Sequence, residues 1–125
     1  MLFRSAFIIS ASLVLALTQV GLAEGKEDSS SANAIMPGCR AFVKGELSSS
    51  YIEGYMQGEC VGIIRGLVDA AYLQPPSPFC VPDDATNGQM VRVMVNYIDR
   101  HPERMHQSFA YLAFDALKEA WPCKS

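Results

Sequence analysis

Four cysteines in a chain of 125 residues constrain its fold more than any other feature. They favour a disulfide framework only if the chain is exported, because disulfides persist in oxidising compartments and are rare in the cytoplasm. Residues 1–23 predict export, since Arg4 precedes an apolar run typical of a signal peptide. Small residues at Gly21 and Ala23 favour cleavage after Ala23. We therefore expect a periplasmic, disulfide-bonded chain with no stable membrane insertion after signal cleavage.

The expected mature chain is acidic. Without Arg4, nine of the ten basic residues remain against 13 acidic ones, which gives a net charge of −4 with both histidines neutral. This balance argues against nucleic acid as a partner. Residues 24–34 are charged and serine-rich without an apolar period, so we expect a flexible leader before a helical domain at 35–125. A domain of this size buries proportionally little surface and benefits from covalent links.

Apolar residues recur at helical spacing in four stretches of the domain. The stretches are 37–46, 50–73, 86–101 and 102–121. Two possible capping boxes begin the second and third helices, Ser50 with Glu53 and Thr86 with Gln89. Pro102 suits the first turn of the fourth helix. Short turns between these helices predict an all-α fold, a small four-helix bundle of two antiparallel hairpins.

The cysteine positions agree with this topology. Residues equidistant from the turn of an antiparallel hairpin lie at the same height, and Cys39 and Cys60 are equidistant from the turn at 48–50. Cys80 and Cys123 are equidistant from the turn between the third and fourth helices. A bond between Cys60 and Cys123 would instead be centred within a helix. We predict that Cys39 bonds to Cys60 and Cys80 to Cys123, each bridge contributing about 2 to 4 kcal/mol.

The segment between the second and third helices is stiffened by three prolines. It consists of Gln74, Pro75, Pro76, Ser77 and Pro78. One interpretation is a rigid connector. The other is a loop that inserts into the cleft of a partner, and on that interpretation these five residues are candidate partner contacts.

The third helix is apolar over a wider arc than one core-facing stripe requires. The arc includes Met90, Met94 and Tyr97. A central, largely buried helix explains it, and so does an interface, where Met and Tyr are adaptable anchors. We include these three residues among the candidate partner contacts and expect a homodimer.

Four glycines are spaced by four residues along the second helix, at Gly54, Gly58, Gly62 and Gly66. Each destabilises a helix by roughly 1 kcal/mol relative to alanine. Their spacing places them on one stripe, where another backbone or a bulky side chain can approach closely. The pattern favours packing against another helix of the bundle, and a groove for a partner is the alternative.

The sequence contains no pattern typical of catalysis or metal binding. His101 and His106 are five residues apart, which does not place both on one helix face. The cysteines form no Cys-x-x-Cys pair, and no serine lies in a Gly-x-Ser-x-Gly setting. We expect no enzymatic activity, no metal and no cofactor.

Several short motifs follow one another across the domain. The glycines surround Cys60, and after them come Phe-Cys-Val-Pro at 79–82, Thr-x-x-Gln at 86–89, His-Pro-Glu at 101–103 and Trp-Pro-Cys at 121–123. Their joint order is more specific than any one motif. With these motifs the chain resembles the Rap/Tai immunity proteins of type VI secretion over residues 39–123.

The resemblance implies a non-enzymatic, periplasmic, helical protein, dimeric, that binds a peptidoglycan amidase effector and blocks its active-site cleft. The alternative class is a small periplasmic helical stress chaperone of the acid-stress type. Such chaperones share export, size and apolar helix faces with this chain. Binding of unfolded client proteins at acidic pH would discriminate between the two classes.

Overall fold

Residues 28–124 are described by a computed structural model and form four α-helices. The helices are α1 (Ala32–Lys44), α2 (Tyr51–Tyr72), α3 (Asn87–Asp99) and α4 (Phe109–Ala120). A 3-10 turn at Pro102–Arg104 precedes α4. No β-strand occurs within the described range, where Ser31 and Ser108 form an isolated bridge.

The helices form two hairpins, in which α1 packs on α2 and α3 packs on α4. The hairpins meet mainly where α1 contacts α3, which confirms the predicted all-α bundle. None of the four described helices combines the length and apolarity needed to cross a membrane. The predicted signal peptide with its cleavage after Ala23, and residues 24–27 of the predicted leader, lie outside the described residues.

Both predicted disulfide bonds are confirmed. Cys39 of α1 is bonded to Cys60 of α2, with their Cα atoms 5.3 Å apart. Cys80, before α3, is bonded to Cys123, after α4, with their Cα atoms 4.9 Å apart. Both separations suit a disulfide without backbone distortion. Each bridge therefore joins the two arms of one hairpin.

Side-chain caps begin α2 and α3. The Thr86 hydroxyl accepts from the Gln89 amide and the Gln89 side chain accepts from the Thr86 amide, so the box predicted for α3 is confirmed. At α2 the Ser50 hydroxyl accepts from the Glu53 amide, but the Glu53 carboxylate reaches one residue further back. It accepts from the Ser49 amide at 2.7 Å and from the Ser49 hydroxyl at 2.8 Å. The reciprocal half of the box predicted at Ser50 is therefore wrong.

The Ser49 amide and hydroxyl hold the pKa of Glu53 below its ordinary value. Because this pKa is lower in the folded chain than in the unfolded chain, the cap stabilises the fold at neutral pH. Its contribution is lost as the pH falls below the usual glutamate range and through the folded pKa.

The first helix begins earlier than predicted. Ser31 caps it and is buried, and the Phe109 amide donates to the Ser30 carbonyl at 2.8 Å. The prediction of a flexible leader is therefore wrong for residues 31–34, which fold against the start of α4. Pro37 lies inside α1 on its exposed side rather than at its start. The polar composition of residues 24–34 suggested a flexible segment, although Ser31 caps α1 and Ala32 is buried.

The fourth helix begins later than predicted, at Phe109 rather than Pro102. The carbonyl groups of Met105 and Gln107 accept hydrogen bonds at 2.9 Å from the amides of Asn33 and Ala32. These carbonyls are thereby turned toward α1 and cannot continue a helical ladder. Contact with the N-terminal segment thus replaces the first turns of the predicted helix.

Arg104 holds the turn before α4. Its guanidinium donates to the Tyr97 hydroxyl, to the Asp115 carboxylate at 2.8 Å and to the Gln107 side chain at 3.0 Å. The hydrogen bond to Asp115 is the main cause that raises the pKa of Arg104. This arginine therefore joins α3, the turn and α4, and its charge is already paired inside the fold.

Helix α1 approaches α2 closely at Gly38, which the structure places against the α2 backbone. A methyl group at this position would lie 2.2 Å from the Met56 carbonyl oxygen. Such a distance is far inside van der Waals contact, so only glycine allows α1 to pack this closely. The neighbouring Cys39–Cys60 bridge depends on the same approach.

The glycines of α2 do not have this role. Methyl groups at Gly58, Gly62 and Gly66 would meet no atom within 4 Å, and Gly54 has only the Ser48 side chain nearby. The prediction that this stripe packs against another helix of the bundle is therefore wrong. The stripe lies on the exposed side of α2 because Cys60 and the residues in register with it face the core.

Candidate functional site

The end of α2 and the loop after it form an exposed, largely apolar projection. We call residues 72–78 the tip. Tyr72 and Leu73 are 60% and 85% exposed, unusual values for large apolar side chains in a packed domain. Gln74, Pro75 and Pro76 are exposed as well, and the last two residues of the tip, Ser77 and Pro78, are half-buried. The tip thus presents apolar surface that the fold does not use.

The base of the tip is held in place by the residues that follow it. The Cys80 amide donates to the Trp121 carbonyl at 2.8 Å, beside the Cys80–Cys123 bridge. Phe79 is buried, with its ring 5.6 Å from that of Phe114 in an edge-to-face contact. A loop with fixed ends and three prolines loses little conformational entropy when it docks. The tip is therefore suited to binding.

A cleft of about 270 Å³ lies beside the tip. Residues of α2 line one side of the cleft and residues before and within α3 line the other: Arg65, Val68, Asp69 and Tyr72, and Val81, Pro82, Asp83, Ala85 and Met90. Arg65 and Asp69 form an exposed ion pair at 3.7 Å. The Tyr72 hydroxyl donates to the Val81 carbonyl at 3.4 Å and so ties α2 to the segment before α3. The cleft has the size to receive one side chain of a partner that docks on the tip.

The other predicted partner contacts, on α3, are not at the surface. Met90 and Met94 are 3% and 0% exposed, and Tyr97 is 6% exposed. The Tyr97 hydroxyl accepts a hydrogen bond from Arg104. The broad apolar arc of α3 is therefore explained by burial among the other helices, which was the first of its two interpretations.

The surface around the α2 glycines, for which a partner groove was the alternative prediction, contacts no other helix of the described bundle. Tyr51, Ile52 and Tyr55 are 88%, 68% and 58% exposed, and they lie toward the same side of α2 as the glycines. We call this surface the outward face of α2, residues 51, 52, 55, 58, 62 and 66. The spacing of the glycines predicted a smooth stripe along α2, but it did not indicate whether that stripe faces the core or the solvent.

The described residues offer no metal site and no free thiol. Between residues 28 and 124 no group of three His, Cys, Asp or Glu side chains could hold a metal ion. All four cysteines are in disulfide bonds. His101 stacks on Tyr97 and contacts the Glu103 carboxylate at 3.3 Å, and His106 is exposed. The two histidines take no part in a common site.

The described residues thus form a disulfide-linked helical domain with an anchored, exposed apolar loop. Comparison with protein families identifies the class of protein. The model of the Rap1a immunity proteins matches residues 26–123, so the chain belongs to this family. Neither the curated proteins nor the solved structures contain a match to this chain.

Membership defines the coarse function. The chain is an immunity protein, a non-enzymatic inhibitor that binds a cognate effector. The suspected Rap/Tai resemblance is thereby confirmed. The match begins at residue 26, ahead of the predicted domain start at 35, in agreement with the early start of α1.

Proposed function

We propose that this immunity protein acts in the periplasm, where it binds a type VI secretion peptidoglycan amidase effector and blocks its active-site cleft with the tip. The observation that carries the proposal is the exposed apolar tip on its anchored base. Steric occlusion needs no reactive group on the inhibitor. It needs a projection that fits a cleft and keeps its shape when bound.

Three properties of the tip support insertion into a cleft. Tyr72 and Leu73 can serve as apolar anchors, the kind of side chain that contributes most binding energy when buried by a partner. The prolines restrict the loop before binding, so less entropy is lost. The adjoining cleft near Arg65 offers a second point of contact.

The sequence supports the periplasmic location. Residues 1–23 have the layout of a signal peptide, and two disulfides are typical of an oxidising compartment. Peptidoglycan, the substrate of an amidase effector, lies in the same compartment. An inhibitor acting there meets the effector before the cell wall is cut.

A protection assay tests the proposal. Bacteria that express a periplasm-directed cognate amidase are expected to survive when they produce the full chain and to lyse when they produce a chain without residues 1–23. Replacing residues 1–23 by an unrelated signal peptide should restore survival, because export rather than that sequence is required. Survival with the unexported chain would contradict the location, and lysis in every arm would contradict the amidase as the target.

We also propose a homodimer, now through the outward face of α2. Pairing two antiparallel copies about Gly62 places Gly58 of one copy level with Gly66 of the other. Glycines permit close approach of the two backbones along this stripe, and the symmetric spacing about Gly62 suits the twofold axis of a homodimer.

Sedimentation velocity tests the dimer. The mature protein is expected to sediment as a dimer at high micromolar concentration, and Gly62→Trp should raise the dissociation constant at least about tenfold by filling the stripe. The monomer should tolerate this change, because Gly62 borders open space. Asn96→Trp, on the exposed side of α3, is the matched control and should leave the dimer intact. A wild-type monomer at that concentration would exclude the dimer.

A further inference from the structure

The two disulfide bonds differ in their access to solvent. Cys39 and Cys60 are both 0% exposed and lie in the core between α1 and α2. Cys80 and Cys123 are both exposed. Thiol–disulfide exchange requires a thiolate to reach a sulfur atom of the bridge. The exposed bond should therefore be reduced faster than the buried one. A reductant in solution can reach only the second bridge while the chain is folded.

The exposed bridge is placed at the base of the tip. It joins the residue two positions after Pro78 to the segment that follows α4. The Cys123 sulfur also lies 3.5 Å from the Ser77 carbonyl oxygen, inside the tip itself. The segment at Cys80 and the segment after α4 are also connected by a backbone hydrogen bond, which the Cys80 amide donates to the Trp121 carbonyl. Opening the bridge therefore removes the covalent part of the anchor.

The helices do not depend on this bridge for their mutual packing. Phe79 and Val81, on either side of Cys80, are 3% and 8% exposed, so we expect their burial to hold this segment on the core when the bridge opens. The buried Cys39–Cys60 bond continues to join α1 to α2. Reduction of the exposed bridge is thus expected to loosen the tip and the C-terminal segment without unfolding the bundle.

We propose that Cys80–Cys123 is a reducible lock on the tip, opened in the folded protein by small thiols or by a thiol–disulfide oxidoreductase. A thiolate of the reductant attacks one sulfur and forms a mixed disulfide, which releases the other cysteine as a thiolate. A second thiol of the reductant then displaces the bound cysteine. In total the reductant becomes a disulfide, and two electrons and two protons pass to Cys80 and Cys123.

The consequence for immunity rests on the proposed function. A loosened tip must be ordered again when it docks, so the reduced form binds the effector more weakly than the oxidised form. The inhibitor becomes fully active only after it has been oxidised, which an exporting compartment provides and the cytoplasm does not. The lock would thus confine full inhibitory strength to the place where the effector acts.

The experiment uses the mature, oxidised protein and graded dithiothreitol, with alkylation of free thiols and mass spectrometry. Cys80 and Cys123 should become alkylated at least about tenfold faster than the buried pair, while the far-ultraviolet circular dichroism stays constant. In the same samples, hydrogen exchange of the Cys80 amide should rise at least about tenfold, because its bond to Trp121 loses its covalent support. Simultaneous labelling of all four cysteines, loss of helicity during the first reduction, or unchanged Cys80 exchange would each overturn the lock.

A double variant provides a second measurement. Cys80→Ser with Cys123→Ser should reproduce the rapid exchange of the amide at position 80 in a folded chain, without any reductant. The matched variant that removes the buried pair, Cys39→Ser with Cys60→Ser, should lose helicity instead. These readouts need no effector. If the oxidised protein fails to inhibit any amidase, the proposed function fails and the lock stands. If the oxidised protein inhibits but reduction does not weaken inhibition about tenfold, the lock does not control inhibition.

Discussion

Replacing Gly38 by alanine is expected to destabilise the domain by about 3 kcal/mol or more, the upper range for overpacking a core. The added methyl group would lie 2.2 Å from the Met56 carbonyl oxygen, and a backbone atom cannot rotate out of the way as a flexible side chain can. Helix α1 would have to move away from α2. That movement also strains the neighbouring Cys39–Cys60 bridge, whose Cα atoms are 5.3 Å apart.

Gly62→Ala is the matched control at concentrations too low for the proposed dimer, since the same chemical change is then made on a helix surface that borders open space. Alanine there should stabilise the chain by roughly 0.5 to 1 kcal/mol, because it restricts the unfolded backbone and favours helix. Urea unfolding followed by circular dichroism measures both variants. Equal midpoints for the two variants would show that α1 and α2 are not in the close contact described.

Local signals were sufficient for the limits of α2. The predicted helix at 50–73 agrees with Tyr51–Tyr72 to within one residue at each end. Ser50 caps the start of α2, and the prolines after Gln74 prevent the helix from continuing. Residues next to each end therefore determine both limits of α2. The disulfide pairing followed from the same helices, because equal distance from a turn fixes which cysteines are level.

Contacts between distant segments decided the limits that were missed. Helix α4 begins at Phe109 because the carbonyls of Met105 and Gln107 bind the amides at the start of α1. No pattern within residues 102–109 encodes that contact. The early start of α1 has the same cause, since Ser31 is buried only when the start of α4 is beside it.

The sequence favoured a packed glycine stripe on α2 and an apolar surface on α3, whereas the structure exposes the α2 stripe and buries the apolar residues of α3. Periodicity shows that a helix has an apolar face, but not which of two apolar helices is surrounded by the others. Helix α2 has 22 residues against 13 in α1 and 13 in α3, so part of it extends past its neighbours. Tyr51 and Tyr55 are exposed on the outward face of α2, while Met94 of the shorter helix is enclosed. The tip needed no such choice, because a proline-rich connector between helices lies at the surface in any bundle.

Replacing residues 74–78 by Gly-Ser-Gly-Ser-Gly should weaken inhibition of the cognate amidase by about 100-fold, because the flexible loop must then be ordered when it docks. The change removes the three prolines that order the loop, and it keeps the serine at 77 whose hydroxyl donates to the Phe79 carbonyl at 2.6 Å. The chain should remain folded because Phe79 stays buried. Thermal unfolding should shift by only several degrees, since glycine in place of proline raises the entropy of the unfolded chain.

Two exposed leucines at opposite ends of α2 separate a specific contact from general loss of apolar surface. Leu73 borders the loop and is 85% exposed, whereas Leu47 lies before the other end of the helix and is 95% exposed. Leu73→Ser should weaken inhibition by about tenfold, and Leu47→Ser should leave it unchanged. Inhibition is measured as release of peptidoglycan fragments over a titration of each variant, with dimerisation checked alongside. If the loop replacement and Leu73→Ser both inhibit like the wild type, the tip is not the inhibitory element.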